Sequence, residues 1–326
     1  MEIRKSVGLQ AFTSLGIGGR AEYFLLAKTM EELVGGVRFA LERDLPLALI
    51  GGGTNVLIAD EGVPGFTIKF QDLGLAVEGT TITAGAGVPM GVLVTRAAAE
   101  GLTGLEWAGG LPGTLGGAIF GNAGTHGRAT GELLGSVRIL RLPDCEQELL
   151  SGSALRFDYR DSVFKEAAKG AGTGDAVILG ATLALERGER AQIRKKTLES
   201  VQFRALHHPH ERSCGSIFKN PAVTTETYEQ LCQRHPQLRA KRPGQGFETL
   251  RAPVGFLIEI AGLKGRRLGG AEISAKHANF IINRGDARAK NVLGLIREAR
   301  ERVAELFGIA IEPEIRFIPS GFGAGR

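Results

Sequence analysis

The sequence has little cysteine and no long apolar run. Its three cysteines, Cys145, Cys214 and Cys232, are too few and too widely spaced for a disulfide scaffold or a zinc site. No apolar stretch approaches the ~18–20 residues that a membrane-spanning helix requires, and residues 1–12 lack the apolar core of a signal peptide. These absences predict a cytoplasmic protein with no bound metal and no membrane partner.

A concentrated basic surface is also missing. The chain carries 40 Lys and Arg against 35 Asp and Glu, which gives a net charge of +5. The densest basic segments, residues 194–196 and 239–242, are short, whereas nucleic-acid binding favours a basic cluster or stripe. We therefore expect no nucleic-acid partner and only a mild attraction for anions.

Glycine, in contrast, is abundant. The 326 residues include 48 glycines, about twice the average usage of ~7%. Because glycine lets the backbone approach a ligand closely, its concentration in the first part of the chain predicts one extended ligand that lies along several loops. The clusters are residues 16–19, 51–55, 85–87 and 109–124.

The hydrophobic patterning predicts an α+β fold in two domains. At ~100–200 residues per domain, the length of the chain suggests two. The first half alternates short strands with helices, and a polar helix over residues 189–206 connects it to the second half. In the second half the pattern predicts strands over 216–220 and 311–318 and a regular helix over 287–308.

Two glycine segments are candidate ligand loops, and each leaves an alternative open. The segment GGGTN (51–55) follows a buried strand and suits either an anion-binding nest or a tight turn between strands. It is not a Walker loop, because the sequence contains no G-K-[ST]. The segment 109–124 suits either a loop around a flat or phosphorylated ligand or a closely packed Gly/Ala helix.

Two further residues carry candidate chemistry. Arg160 stands beside Tyr159, which fits either a surface cation–π pair or a buried arginine that holds a carboxylate. We interpret Cys214 as a buried structural thiol, because the sequence offers no partner base that would activate it as a nucleophile.

Six motifs occur in a characteristic order along the chain. In that order they are GGGTNVLI, GLPGTLGGAIFGNAG, YRDSVFK, GSIFKNP, AGLKGRRLGGAEISAKHANFIIN and EPEIRFI. From about residue 10 to residue 318, the chain closely resembles the UDP-N-acetylenolpyruvoylglucosamine reductase family, which are flavoproteins of bacterial peptidoglycan synthesis.

The resemblance implies a particular domain organisation. An FAD-binding domain of the vanillyl-alcohol-oxidase (PCMH) type would span residues 1–200, and a smaller α+β substrate-binding domain would span 201–308. A C-terminal strand over 309–318 would return to the first domain. The resemblance also leads us to expect a monomer.

The resemblance further implies a reaction in two halves. NADPH gives hydride to the bound FAD, which then gives hydride to the enolpyruvyl ether of a UDP-sugar and forms UDP-N-acetylmuramate. Arg160 would meet the charge that develops in the substrate carboxylate. Ser216 would supply the proton. Glu314 would polarise the carboxylate, with Glu312 as the local competitor for that role.

The family's binding residues also map onto this sequence. Lys219, Asn220, Lys264 and His277 fall where the family binds the nucleotide-sugar. The positions that would hold FAD lie in the two glycine segments and just after them. They are Gly51, Gly52, Gly53, Thr54, Asn55, Val56, Pro112, Gly113, Gly117, Asn122 and Gly124.

The chain departs from the family pattern in three places. One branch of the family carries a tyrosine-bearing loop that folds over the substrate, but here residues 166–176 are short and contain no tyrosine. The branch without that loop usually also shortens the segment after KNP, yet this chain keeps residues 222–252. The chain is therefore a mosaic of the two branches. His126 stands where a tyrosine is expected, so we also expect a different flavin contact there.

Overall fold

The computed structural model describes residues 1–125, 127–171, 174–241 and 249–322. His126, residues 172 and 173, and residues 242–248 of the retained segment 222–252 therefore lie outside the described residues. Three sheets organise the fold, and each is built from one stretch of the chain. The order of helices and strands confirms the expected α+β fold class.

The first sheet has the strand order β1-β2-β5-β3, in which β5 runs parallel to both β2 and β3. Thr29 begins α1 by accepting a hydrogen bond from the backbone N–H of Glu32, as a residue at a helix N-cap should. One face of α1 is buried against the sheet. The elements are β1 (Ile3–Gly8), β2 (Arg20–Ala27), α1 (Met30–Leu41), β3 (Leu47–Ile50), β4 (Val56–Ile58) and β5 (Val63–Phe70).

The second sheet is antiparallel and covered by two helices. Its order is β12-β11-β13-β7-β6, and the pairs β9–β10 and β8–β14 flank it. The elements are β6 (Leu75–Glu78), β7 (Thr81–Gly85), α2 (Met90–Glu100), β8 (Leu102–Thr103), α3 (Leu115–Phe120), β9 (Gly124–Thr125), β10 (Arg128–Ala129), β11 (Leu134–Arg141), β12 (Glu146–Leu150), α4 (Val163–Ala171), β13 (Ala176–Ala184), β14 (Glu186–Arg187) and α5 (Arg190–His207).

The third sheet has the order β15-β18-β17-β16 and carries α7 and α8. We call residues 3–207 the N-terminal lobe and residues 212–307 the C-terminal lobe. The boundary expected at residue 200 lies inside α5. The elements are β15 (Arg212–Ser216), α6 (Thr225–Arg234), α7 (Val254–Ile260), β16 (Arg267–Leu268), β17 (Ala271–Ile273), β18 (Phe280–Asn283), α8 (Ala289–Phe307) and β19 (Arg316–Ile318).

The last strand joins the two lobes. Strand β19 pairs in parallel with β4 of the N-terminal lobe. Asp60, which follows β4, accepts hydrogen bonds from the backbone N–H groups of Ala289 and Lys290 at the start of α8, at 2.8 and 3.0 Å. The lobes are thus joined by β19 and by the contact of Asp60 with the start of α8.

Two predicted strands are shorter in the structure. The strand expected over 216–220 ends at Ser216. Beyond it, the Ile217 carbonyl and the Lys219 N–H bond to Glu314 and Glu312, and both backbone groups of Phe218 bond to the side chain of Asn279. The strand expected over 311–318, and the return expected over 309–318, are confined to β19. Pro313 forms only an isolated antiparallel bridge with Phe218, outside β19.

Candidate active site

A cleft of about 2330 Å³ is lined by residues of both lobes and of the segment that leads into β19. This volume exceeds the ~300–1,000 Å³ of a typical small-molecule site, so it suits a large cofactor together with a substrate. Over the described ranges, no group of three or more His, Cys, Asp or Glu is placed to hold a metal ion. Among the same residues, no helix is long and apolar enough to cross a bilayer.

Two glycine loops cross at the floor of the cleft. A Cβ on Gly52 would lie 2.8 Å from the Cα of Gly113, so the two backbones approach too closely for a side chain. Gly53 has φ of 68°, and a Cβ there would lie 1.9 Å from the carbonyl oxygen of Phe12. Gly52 and Gly53 therefore lie in close backbone contacts that a residue with a side chain would disrupt.

The crossing leaves polar groups available to a ligand. None of the N–H groups of residues 52–54 donates a hydrogen bond to any protein group that the structure describes. The hydroxyl of Thr114 is buried and also has no partner among those residues. Because buried donors are normally satisfied, these groups fit the pyrophosphate of FAD, which takes several N–H and O–H donors at once.

Two half-buried cations donate to the same strand and loop. Lys69 donates to the carbonyl oxygen of Gly51, and burial lowers its pKa. Arg316, on β19, donates to the carbonyl of Leu49, and its guanidinium lies 5.3 Å from the ring centre of Phe120. Burial also lowers the pKa of Arg316. Both favour a negatively charged ligand at the loops, and neither was among the residues expected from the sequence.

Most of the residues expected to bind the cofactor line this cleft, but Asn122 does not. The Asn122 amide is buried, donates to the carbonyl of Asp158 at 2.8 Å and accepts from the N–H of Gly131 at 3.0 Å. Because its side chain is used within the protein, we correct its expected contact with the cofactor to a structural one. The expected residues that do line the cleft are Gly51, Gly52, Gly53, Thr54, Asn55, Val56, Pro112, Gly113, Gly117 and Gly124.

Arg160 lies against Glu314 in the middle of the cleft. The Nε of Arg160 is 3.1 Å from the Oε1 of Glu314, and both side chains are 18% exposed. The guanidinium also donates to the backbone carbonyls of Asn122 and Gly124. It lies 5.2 Å from the ring centre of Tyr159. Of the two interpretations of Arg160, the structure shows a largely buried arginine beside a carboxylate.

Ser216 is brought to the same place by β15. It is the last residue of that strand, and the carbonyl of the next residue, Ile217, accepts a hydrogen bond from the N–H of Glu314 at 2.7 Å. The hydroxyl of Ser216 makes no hydrogen bond with the described residues and lines the cleft. Arg160, Ser216 and Glu314 therefore share one cavity beside the glycine loops.

Glu312, the competitor of Glu314, occupies a different position. Its side chain is exposed, and its backbone carbonyl accepts a hydrogen bond from the N–H of Lys219 at 3.0 Å. Of the two glutamates, Glu314 is the one whose carboxylate lies against the guanidinium of Arg160. Within the described chain, the geometry therefore favours Glu314 for the role next to the arginine.

The expected substrate-binding residues line the same cleft and all belong to the C-terminal lobe. The Nζ of Lys219 lies 3.9 Å from the Oδ2 of Asp161. The Nζ of Lys264 lies 3.0 Å from the Oε1 of Glu259. Asn220 accepts from the N–H of Val254 at 3.0 Å. His277 accepts from the N–H of Asn279 at 3.2 Å and lines the cleft with the other three residues.

Three more residues that line the cleft were missed by the sequence reasoning. The Arg251 guanidinium lies 4.0 Å from the ring centre of Tyr159 and donates to the carbonyl of Asn220 at 3.1 Å. Burial lowers the pKa of His208 to about 4, so its ring is neutral at physiological pH. Lys165 reaches the backbone of both Arg160 and Glu314. Arg251 lies in the retained segment 222–252, and Lys165 lies inside the YRDSVFK motif.

Two family models match different parts of the chain. Residues 21–148 match the family described as FAD binding domain. Residues 207–318 match the family described as UDP-N-acetylenolpyruvoylglucosamine reductase, C-terminal domain.

Full-length relatives are similar across both lobes. A UDP-N-acetylenolpyruvoylglucosamine reductase from Synechococcus sp. (strain JA-3-3Ab) is 39% identical, with 98% of this chain and 92% of the relative covered. One from Halalkalibacterium halodurans is 35% identical, with 97% and 94% covered. The crystal structure of UDP-N-acetylenolpyruvylglucosamine reductase from Thermus caldophilus is 31% identical, covers 98% of each chain and has a TM-score of 0.73.

Proposed function

The chain belongs to the UDP-N-acetylenolpyruvoylglucosamine reductase family, and on that premise we propose that NADPH is its reductant and Ser216 its proton donor. The protein is an FAD-dependent oxidoreductase of peptidoglycan synthesis that acts on UDP-N-acetylenolpyruvoylglucosamine. The product we propose is UDP-N-acetylmuramate. The observation that carries the proposal is the meeting of Arg160, Ser216 and Glu314 in one cleft beside the glycine loops.

The residues of the crossing loops are proposed to hold FAD. When bound, FAD supplies the hydride that is added to the double bond of the substrate. The N–H groups of residues 52–54 and the hydroxyl of Thr114 would bind its pyrophosphate. Lys69 and Arg316 would add positive charge behind these donors.

Arg160 is proposed to stabilise the charge that develops during hydride addition. Adding hydride to an alkene next to a carboxylate places negative charge on the neighbouring carbon and spreads it into the carboxylate. A fixed guanidinium in a partly dry cleft stabilises such charge more than water does. Glu314 and the carbonyls of Asn122 and Gly124 fix the direction of the guanidinium, so little reorganisation is needed.

Ser216 is proposed to complete the reaction by giving a proton to the charged carbon. A hydroxyl is a weak acid, so it serves only against a strongly basic centre, and a carbanion-like carbon is one. The absence of a hydrogen bond from its hydroxyl to the described residues leaves Ser216 able to point its proton into the cleft.

Residues that line the cleft on the side of the C-terminal lobe are proposed to bind the sugar nucleotide. Lys219, Lys264 and Arg251 provide positive charge for its diphosphate, and Asn220 and His277 provide polar contacts. NADPH and the sugar nucleotide would use the cleft in turn, which predicts ping-pong kinetics.

Separate measurement of the two half-reactions tests this proposal. The purified protein should be yellow, and in the absence of oxygen NADPH should bleach the flavin and the sugar nucleotide should restore its colour. Ser216→Ala should leave the NADPH step nearly unchanged and slow the sugar step by ~10²–10⁴-fold. Ser213→Ala, which removes a hydroxyl from the same strand, is the matched control and should leave both steps near wild type.

Two outcomes contradict the proposal. If the sugar nucleotide fails to restore the flavin colour in the wild-type protein, the substrate assignment is wrong. If Ser216→Ala slows both half-reactions equally, Ser216 is not the proton donor.

A further inference from the structure

Lys165 connects the two residues that meet in the cleft. It lies in the first turn of α4, and its side chain points back toward the arginine turn. The ammonium donates to the backbone carbonyl of Arg160 at 3.0 Å and to that of Glu314 at 3.4 Å. These two carbonyls belong to residues that are 154 positions apart in the sequence.

The position of Lys165 is unfavourable for a lysine in three respects. A positive charge in the first turn of a helix opposes the helix dipole. The side chain is half-buried, and Lys219 and Arg160 are close enough to repel its charge. Burial, with repulsion from Lys219, lowers the pKa of Lys165 to about 8. A residue that is retained against local rules in an active site usually has a function there.

Hydrogen bonds hold the backbone at the start of α4 in place, so the Lys165 side chain can set the positions of the Arg160 turn and the Glu314 segment. The N–H of Lys165 donates to the Oγ of Ser162 at 3.2 Å, and that hydroxyl donates to the carbonyl of Phe120 at 2.7 Å. The start of α4 is thus fixed to the end of α3. Any shift of the Arg160 turn or of the Glu314 segment would stretch a hydrogen bond to Lys165.

We propose that Lys165 is a positioning residue, which holds the Arg160 turn and the Glu314 segment in the relative position that forms their ion pair. It acts through Arg160 and Glu314 and does not itself touch the substrate. This inference rests on the proposed function, because it concerns the half-reaction in which these two residues meet the substrate carboxylate.

Half-reaction kinetics of Lys165→Met and Lys165→Arg test the inference. Methionine keeps the apolar stem but donates no hydrogen bond. Lys165→Met should slow oxidation of the flavin by the sugar nucleotide roughly 100-fold, because a displacement of ~1 Å in an active site costs about that much. Flavin reduction by NADPH and the FAD content should stay near wild type. Lys165→Arg keeps two or more donors and should restore most of the rate.

Glu166→Gln is the matched control, because Glu166 lies in the same helical turn but is exposed and pairs with Arg156 on the surface. This variant should leave both half-reactions unchanged. A general weakening of α4 would slow the control and Lys165→Met alike, whereas a positioning role affects Lys165 alone.

The pH dependence gives a readout that a merely structural role would not move. The charged groups that face the Lys165 ammonium are Lys219, Glu314, Asp161 and Arg160. The ammonium loses its proton as pH rises through about 8, so the rate of the sugar step should fall above that pH. In Lys165→Arg the side chain stays charged, so this fall should disappear.

A crystal structure of Lys165→Met tests the inference without any substrate. The 3.1 Å contact between Arg160 and Glu314 should open, while the glycine loops stay in place. An unchanged ion pair, an unchanged sugar step, or an equal loss in both half-reactions overturns the inference. Failure of the wild-type protein to use the sugar nucleotide contradicts the proposed function, and the ion pair in the variant then still decides the role of Lys165.

Discussion

Arg160 owes the direction of its side chain to an uncommon backbone conformation. Its φ is 56°, in the left-handed region, which costs roughly 1–3 kcal/mol for a residue with a side chain. The neighbouring backbones of Asp158 and Asp161 exchange two hydrogen bonds, at 3.2 and 3.1 Å, and so hold the turn that Arg160 occupies. The strain therefore serves to aim the guanidinium into the cleft.

The two nearby glutamates offer a direct comparison of single residues. Glu314→Gln should slow the sugar step by ~10²-fold or more, because it removes the charge that orients Arg160. Glu312→Gln should have an effect of less than about threefold, since only the backbone of Glu312 is used in the described part of the chain. Rapid mixing of the reduced proteins with the sugar nucleotide measures both. Equal losses in the two variants would contradict the assignment to Glu314.

The cysteines differ in reactivity for a physical reason. Burial raises the pKa of the Cys214 thiol to about 12, and Cys232 is also buried, whereas Cys145 is partly exposed. A thiol reagent reacts with the thiolate, so the native protein should show one reactive cysteine and the denatured protein all three. Counting the modified thiols by mass spectrometry checks this. Rapid labelling of Cys214 in the native state would show that the lobes open.

The sequence pointed to those candidate site residues whose proposed roles belong to their side chains. Arg160, Ser216 and Glu314 lie in recognisable motifs, and they meet in the structure. Lys165 lies in the YRDSVFK motif, yet the motif does not reveal its role, because its partners are backbone carbonyls that the fold brings together. The sequence also did not reveal that the Asn122 amide bonds to Asp158 and Gly131 within the protein.

The close crossing of the two glycine loops predicts how a glycine substitution there changes FAD binding and the stability of the fold. Gly53→Ala should abolish tight FAD binding and destabilise the fold, because the new Cβ would overlap the carbonyl of Phe12. Gly79→Ala is the control, since Gly79 has φ of 60° but no described atom lies within 4 Å of the position that its new methyl group would take. It should cost only the backbone strain of ~1–2 kcal/mol and leave FAD affinity unchanged.

Fluorescence titration with FAD and urea unfolding separate these two effects. Similar FAD affinities for the two alanine variants would show that the loops do not bind the pyrophosphate.

The helices were easier to predict than the strands. The apolar spacing of α8 is a local signal, and α8 and α5 form close to where helices were predicted. Strands depend on distant partners. Residues 217–219 leave the sheet, and their hydrogen bonds go to Asn279 and to the segment around Pro313, which the local pattern does not reveal.

At the scale of the whole molecule, Asp60 is a test of how the lobes are joined. Asp60→Ala removes two hydrogen bonds to the start of α8 and a favourable charge at its positive end. We expect a loss of ~1–2 kcal/mol in the free energy of unfolding, measured by urea denaturation. Glu61→Ala is the control, because Glu61 is exposed and should change stability by less than about 0.5 kcal/mol. Equal effects would show that Asp60 does not join the lobes.

The parallel pairing of β19 with β4 has a consequence for biosynthesis. Glu314 and β19 leave the ribosome after both lobes have been made, yet they supply the carboxylate beside Arg160 and the strand beside the glycine loops. A nascent chain or truncated product that stops before residue 314 therefore contains both lobes but no finished catalytic centre. With the role proposed for Glu314, we expect turnover only after translation has passed this point and expect incomplete copies of the protein to be inert.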